Sequence, residues 1–430
     1  MSNTSHARAR RRDRRVYLGS HPVLFGLLAA TRGRPVRRIG GTLLVHGAQA
    51  YRQALTRLPL DRTAEGTTGG AARSALAGEG GVLFDQEGSG HRSDRRDLAG
   101  QLSAAGVARL RAQWQPLLVR RLEPLARGGA VDLVELSREL AGSVVCALLG
   151  TDADPLAVAD AAAEAAAASV RSHLPGPRRP RAQAAALRSA ARLRALLTPA
   201  AGAAGEAPPC GSGPRYGEAR HDGPRHRAAR HDGWLYEDAP HDGPLHDDPR
   251  RGEAGRGAAT RHGLAYDGAL AAMVAVAAVN TTVAALPRAV AWCADAGLWD
   301  QAADEALRPA LAAELLRVTA ASPLLPRVAA ADGTVGGCPV RGGDRLMLVA
   351  RHAAGAHRRD PDARCPAGPG TARLVFGAGP HACPGARLAE AQLADVLAAL
   401  APARPVVTRA RVDRRAALPG WRTLLVEARA

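Results

Sequence analysis

Toward its C-terminal end the chain reads Phe376-Gly377-Ala378-Gly379-Pro380-His381-Ala382-Cys383-Pro384-Gly385, then runs directly into an apolar segment ending near Leu400. Gly377 and Gly379 permit a tight turn with positive φ. Cys383 follows, just ahead of a helix predicted over 385–400. The free N–H groups and dipole of that helix end favour a thiolate. Leu393, Val396, Leu397 and Leu400 share one face of the helix. Gly385 lets it approach something flat, and Phe376 is placed to shield the sulfur from water. The decapeptide is a loop that presents one sulfur.

The fixed positions F-G-x-G-x-H-x-C-x-G are all matched, and the stretch resembles the haem-binding loop of the cytochrome P-450 family, the haem-thiolate monooxygenases. The resemblance implies that Cys383 is the axial iron ligand of haem b, with His381 near a propionate and Phe376, Gly377, Gly379 and Gly385 against the cofactor. A thiolate ligand pushes electron density that favours O–O cleavage, with dioxygen as co-substrate. Pro384 has no N–H, so one possible hydrogen bond to the sulfur is missing. The other chemistry open to this loop, zinc on His381 and Cys383, needs further ligands that the spacing does not supply.

Working outward, Glu314-Leu315-Leu316-Arg317 places a carboxylate and a guanidinium one helical turn apart. With Pro323, Pro326 and Arg327 after it, the segment resembles the family's E-x-x-R helix and the strand that follows. That resemblance makes Glu314 and Arg317 a structural lock with Arg364 as third member, and pairs Arg327 with a propionate. His91-Arg92-Ser93-Asp94-Arg95 resembles the family's H-x-x-x-R helix start, where His91 and Arg95 grip the propionates; an arginine fork matches a carboxylate bidentately.

The long apolar segment 264–296 reads as a helix interrupted by Asn280-Thr281-Thr282. It resembles the family's oxygen-binding helix, in which an acid and a threonine relay protons. Here the run is Ala277-Ala278-Val279-Asn280-Thr281: Thr281 remains with Thr282 beside it, Asn280 stands where the acid is usual, and Ala278 replaces a glycine. Ala277 falls against the cofactor by the same resemblance. An amide orients water but does not titrate as a carboxylate does. Pro287 is expected to kink the helix. Three readings follow: hydroxylation or other oxidation of a small hydrophobic, natural-product-like substrate; oxidative C–C, C–O or C–N coupling; and haem binding without turnover.

Composition sets the frame. The chain has 430 residues, 46% hydrophobic, and all 58 basic residues are arginine against 40 acidic ones, a net charge of +18. The absence of lysine excludes Walker-type phosphate binding and Schiff-base chemistry. Dispersed charge without interleaved aromatics argues against nucleic acid as a partner. Pro22–Ala30 is apolar but too short to span a bilayer, so no membrane anchor is expected. Six scattered cysteines fit a reducing, cytoplasmic setting. Residues 1–16, holding six arginines, read as a disordered basic tail. Residues 201–262 carry six of the fourteen His, a ten-residue His-Asp-Gly repeat and almost no large aliphatics, so they read as a disordered, low-complexity insertion. From Leu102 the pattern is helical, with Asp132 as a cap and Gly150 as a stop. The expected fold is mainly α with a small β component: a single large cytochrome P-450 domain over 17–430, interrupted by 201–262. Electrons are expected from a separate ferredoxin and ferredoxin reductase.

Overall fold

The structure, a computed structural model, describes residues 3–61, 63–67, 70, 88–172, 180–198 and 268–429. The insertion expected at 201–262 lies outside the described residues.

Helices dominate because long Ala- and Leu-rich runs with three- and four-residue spacing fill most of the chain. In order they are α1 (Asn3–Ser20), α2 (Pro22–Thr31), α3 (Ala48–Thr56), α4 (Gly88–Gln101), α5 (Ala104–Ala126), α6 (Leu133–Leu149), α7 (Pro155–Ser172), α8 (Pro180–Leu197), α9 (Gly268–Ala296), α10 (Arg308–Thr319) and α11 (Ala386–Leu400). Short turns intervene between several of these. The caps expected for α6 are present: the Asp132 side chain accepts the Val134 N–H, and Gly150 ends the helix at φ 65°. One sheet has the order β1-β2-β8-β5-β3, built from β1 (Val36–Ile39), β2 (Thr42–Val45), β3 (Leu60–Asp61), β5 (Leu325–Ala329) and β8 (Arg345–Leu348). Within it β2 and β8 run parallel and the other pairs antiparallel. A second sheet joins β4 (Ala130–Asp132) to the C-terminal hairpin of β9 (Val406–Asp413) and β10 (Gly420–Glu427).

Helix α9 is the centre of the main hydrophobic cluster, which also takes in α5, α6, α7, α10 and α11. It is long and apolar enough to cross a membrane, and most of it is buried inside the protein. The helix continues through Pro287 without interruption. Proline at this point removes one hydrogen bond but does not end the helix, because packing on all sides holds the backbone.

The basic N-terminal segment is not a loose tail. It forms helix α1, with Ala9, Asp13, Val16 and Tyr17 buried. Three of its arginines find acids contributed by distant parts of the fold. Arg12 meets Asp295 at 2.5 Å, Arg8 meets the same carboxylate at 3.2 Å, and Arg10 pairs with Asp360. Asp13 accepts from Arg288 of α9 at 2.6 Å and from Arg351 at 3.1 Å. The same two guanidiniums each stack on the Tyr17 ring, 4.4 Å from its centre. Tyr17 in turn donates to the Thr319 carbonyl at 2.5 Å. A run of like charge becomes an ordered helix once tertiary partners neutralise it.

Asp13→Ala leaves Arg288 of α9 charged and buried without its carboxylate partner on α1. Removing one partner of such a pair costs about 3–5 kcal/mol. Thermal unfolding should therefore show a drop in Tm of several degrees, whereas alanine at exposed Arg11 should leave Tm nearly unchanged.

Candidate active site

Cys383 lies between the helical turn Gly379–His381 and helix α11. Gly377 and Gly379 adopt φ of 83° and 71°, so both expected glycine turns are present. A Cβ at Gly379 would also stand 3.2 Å from the Leu55 carbonyl at the end of α3. The Cys383 N–H donates to the Phe376 carbonyl at 2.7 Å, and Ala382 N–H to Gly379 at 3.0 Å. These bonds close the loop and leave the sulfur facing a cavity of about 390 Å³, lined also by Phe376, Gly377 and Ala382. A Cβ at Gly385 would touch the sulfur at 3.7 Å, so glycine keeps the space beside it open.

The electrostatics differ from the sequence expectation. Cys383 is exposed to the cavity, yet the protein packed around it pushes its thiol above the ordinary value. The Gly385 N–H at the start of α11 and the charge of Arg95 pull the other way and are outweighed. The helix end alone does not make this sulfur a thiolate; a cation bound to it would.

Arg95 of α4 donates to the Ala382 carbonyl at 2.6 Å, bracing the residue before the cysteine. His91 belongs to the same helix, and its side chain lies outside the described residues. Arg327 is on β5, where it donates to its neighbour Pro326 at 2.8 Å and its charge reaches the buried Tyr51 hydroxyl. His381 and Phe376 are half-buried in the loop itself. Two exposed arginines that the sequence reading passed over, Arg373 and Arg387, also line the cavity. Their one sequence signal is position: Arg387 lies in the first turn of α11, and Arg373 three residues before Phe376.

The lock on α10 is fully buried. Arg317 clasps Glu314 through Nε–Oε1 at 2.9 Å and an Nη–Oε2 contact at 2.6 Å, and both residues are almost fully shielded. Arg317 also donates to the carbonyls of Ala354, Arg359 and Asp360. Arg364 is not the third member, for it is exposed and only its backbone is engaged, with Asp362. The place is taken by the Ala367 N–H, which donates to Glu314 at 2.9 Å. A backbone donor carries no sequence signal.

Helix α9 is the other element that the resemblance sets at the site, although none of its residues lines the cavity beside Cys383. Ala269–Ala275 and Ala284–Cys293 are buried, whereas Val276–Ala278 and Asn280–Val283 are only half-buried. Ala277, Ala278, Asn280, Thr281 and Thr282 all fall in these more accessible stretches. The Thr281 hydroxyl donates back to the Ala277 carbonyl at 2.8 Å. The Asn280 amide donates to the Val276 carbonyl at 2.8 Å and across to Ala162 of α7 at 3.3 Å. Asn280 therefore ties two helices together with bonds that a carboxylate cannot make.

The residues fit a haem. They offer one sulfur open to a cavity, arginines in place of acids around that cavity, and an accessible turn in the middle of the core helix. No cluster of three or more His, Cys, Asp or Glu able to hold a metal ion occurs among the described residues, so the zinc alternative gains nothing.

Asn280→Asp replaces a donor to two carbonyls with an acceptor facing them. Stability should fall by about 1–3 kcal/mol at neutral pH. Facing carbonyl oxygens, the new carboxyl keeps its proton to a higher pH than an unfolded chain's carboxyl at about 3.9. The folded state then binds more protons than the unfolded one, so stability falls as pH rises through that window. Thermal unfolding beside the parent protein should show a small Tm deficit near pH 4 and a large one near pH 7.

No family model matches the chain, and no curated protein matches it in sequence. Solved structures do. A mutant of P-450 EryK in complex with erythromycin B is 18% identical, with a TM-score of 0.61 over 96% of this chain and 97% of that one. The methyl hydroxylase MycCI from Micromonospora griseorubida, bound to mycinamicin VIII, is 20% identical at a TM-score of 0.60, covering 93% and 95%. CYP109E1 from Bacillus megaterium, in complex with testosterone, is 14% identical at 0.63, covering 96% and 100%. Identity this low speaks to architecture, and the architecture agrees with the resemblance carried by the cysteine loop: this chain has the cytochrome P-450 fold.

Proposed function

We propose that this chain is a haem-thiolate monooxygenase that oxidises a small hydrophobic substrate with dioxygen. The observation that carries the reading is the Cys383 loop: two left-handed glycines, a closing N–H bond from Cys383 to Phe376, and a sulfur left open to the cavity. Cys383 would hold the iron of haem b, and His381, Arg327, Arg95 and His91 would face its propionates. When bound, the haem supplies dioxygen activation and one-electron chemistry.

The chain's own residues divide the remaining work. With the haem in place, Phe376 and the turn at Gly377 would help keep water from the sulfur; Arg95 holds the loop through Ala382. The accessible turn Ala277–Thr282 of α9 would shape the oxygen side. Thr281 would hold and pass a proton at its hydroxyl oxygen, the bond to Ala277 fixing its direction. Asn280, spent on Val276 and Ala162, leaves the relay to Thr281, Thr282 and water. The neighbours bound to erythromycin B, mycinamicin VIII and testosterone support a natural-product-like, largely hydrophobic substrate. Exposed Arg373 and Arg387 beside the cysteine loop would face an acidic electron donor, for which a separate ferredoxin with its reductase is suited.

A second reading is oxidative coupling, which needs hydrogen abstraction from the substrate without oxygen insertion; the bonded Asn280 amide bears on either outcome by limiting proton delivery to Thr281, Thr282 and water. Haem binding without turnover is the limit of the same argument.

The test is the carbon monoxide difference spectrum of the reduced protein beside Cys383→His. A strongly red-shifted Soret band in the parent, absent from the variant, is the expected result. No haem, or a spectrum indifferent to the substitution, would overturn the assignment. A second expectation concerns Pro384, which cannot donate to the sulfur. Pro384→Ala adds one possible N–H bond worth about 1 kcal/mol, so the reduction potential should rise by roughly 40 mV in a spectroelectrochemical titration.

A further inference from the structure

Helix α2 reads Pro-Val-Leu-Phe-Gly-Leu-Leu-Ala-Ala-Thr and has no charged residue. Its inner side is accounted for: Leu28, with Leu24 and Phe25, packs on Leu44, Met347, Val349 and Leu324. Its outer side is not. Val23 is 85% exposed and Leu27 44% exposed, with Gly26 and Ala30 exposed between and beyond them. A surface helix ordinarily turns polar residues to water; this one turns none.

Arginines surround that apolar face. Arg32 and Arg34 stand in the turn leaving α2, and Arg37 follows on β1. The register pairs Arg37 with Leu44, the residue on which Leu28 of α2 packs, so Arg37 and Ile39 lie on the sheet face that α2 covers. Ile39 is itself 42% exposed. Arg14, Arg15 and Leu18, all exposed, lead from α1 into the same corner. None of Arg14, Arg15, Arg32, Arg34 and Arg37 has an acidic partner among the described residues. Over residues 1–60 the sequence holds twelve arginines and one acid, Asp13, which is buried. Arg8, Arg10, Arg12 and Arg38 are paired with acids elsewhere in the fold, and the five arginines of this corner are left facing solvent.

We propose that α2 and its arginine rim dock this protein on an anionic phospholipid bilayer, peripherally and without spanning it. Ten residues are too few to span. They suffice to lay an apolar helix at the boundary of headgroups and acyl chains, where apolar burial and attraction to anionic lipid act together. Charge complementarity selects this occupant. A nucleic acid or an acidic protein surface would use the arginines and leave Val23 and Leu27 in water, whereas an apolar partner would leave the arginines unanswered. The inference does not depend on the haem assignment.

Cosedimentation of the full chain with vesicles tests it, using phosphatidylcholine alone and phosphatidylcholine mixed with phosphatidylglycerol. The parent should sediment with the mixed vesicles only, and added salt should weaken the binding. Val23→Asp with Leu27→Asp should reduce the partition coefficient by about tenfold or more, and so should Arg32→Glu with Arg34→Glu and Arg37→Glu. Every substituted side chain is exposed, and an unchanged far-UV circular dichroism spectrum verifies the fold; Val23→Ser with Leu27→Ser gives a milder check. Failure of the parent to bind mixed vesicles overturns the proposal. So does loss on arginine reversal alone with the apolar variants unaffected, which would assign the corner to an acidic protein or nucleic acid.

Discussion

The buried pair of Glu314 and Arg317 is the constraint on which the site depends. Two charges have been taken fully out of water, a cost met only where every remaining donor and acceptor is satisfied. That condition is fulfilled by backbone: Arg317 gives its further N–H groups to Ala354, Arg359 and Asp360, and Glu314 takes the N–H of Ala367. The pair thus collects the irregular segment between β8 and the cysteine loop onto helix α10. Regular structure cannot do this, because the segment has none long enough to pack by itself. Losing either charge would leave the other stranded and release the chain leading to Cys383.

Helix α9 meets the opposite demand. It must be rigid along its length and accessible at its middle. Burial of its two flanks provides the rigidity, reinforced from outside by Asp13 and Tyr17 of α1 around Arg288. The accessible part holds small residues at Ala277 and Ala278 and the polar run after them. Asn280 belongs to the rigid side of this division, since its amide is spent joining α9 to α7.

Most of the helical architecture was legible beforehand, because long apolar runs with regular spacing and identifiable caps leave few alternatives. Helix α6, started by Asp132 and ended by Gly150, is the clearest case. The cysteine loop was legible for a related reason: two glycines at positive φ, a proline and a cysteine at a helix start are each local requirements of backbone chemistry. The N-terminal segment was misread for the complementary reason. Its ordering depends on Asp295, Asp360, Arg288 and Arg351, all more than 270 residues away, and local charge predicts the reverse.

Sequence by itself thus determined what short-range chemistry determines: which segments are helical, where the sulfur is presented, and that an amide stands where an acid is usual on the core helix. Tertiary structure alone decided the partners. It replaced Arg364 by the backbone of Ala367, turned Asn280 into a tie between helices, and raised the Cys383 thiol by burial against the pull of its helix end. Backbone donors and local dielectric have no letter in the sequence. They exist only once distant segments have been brought together.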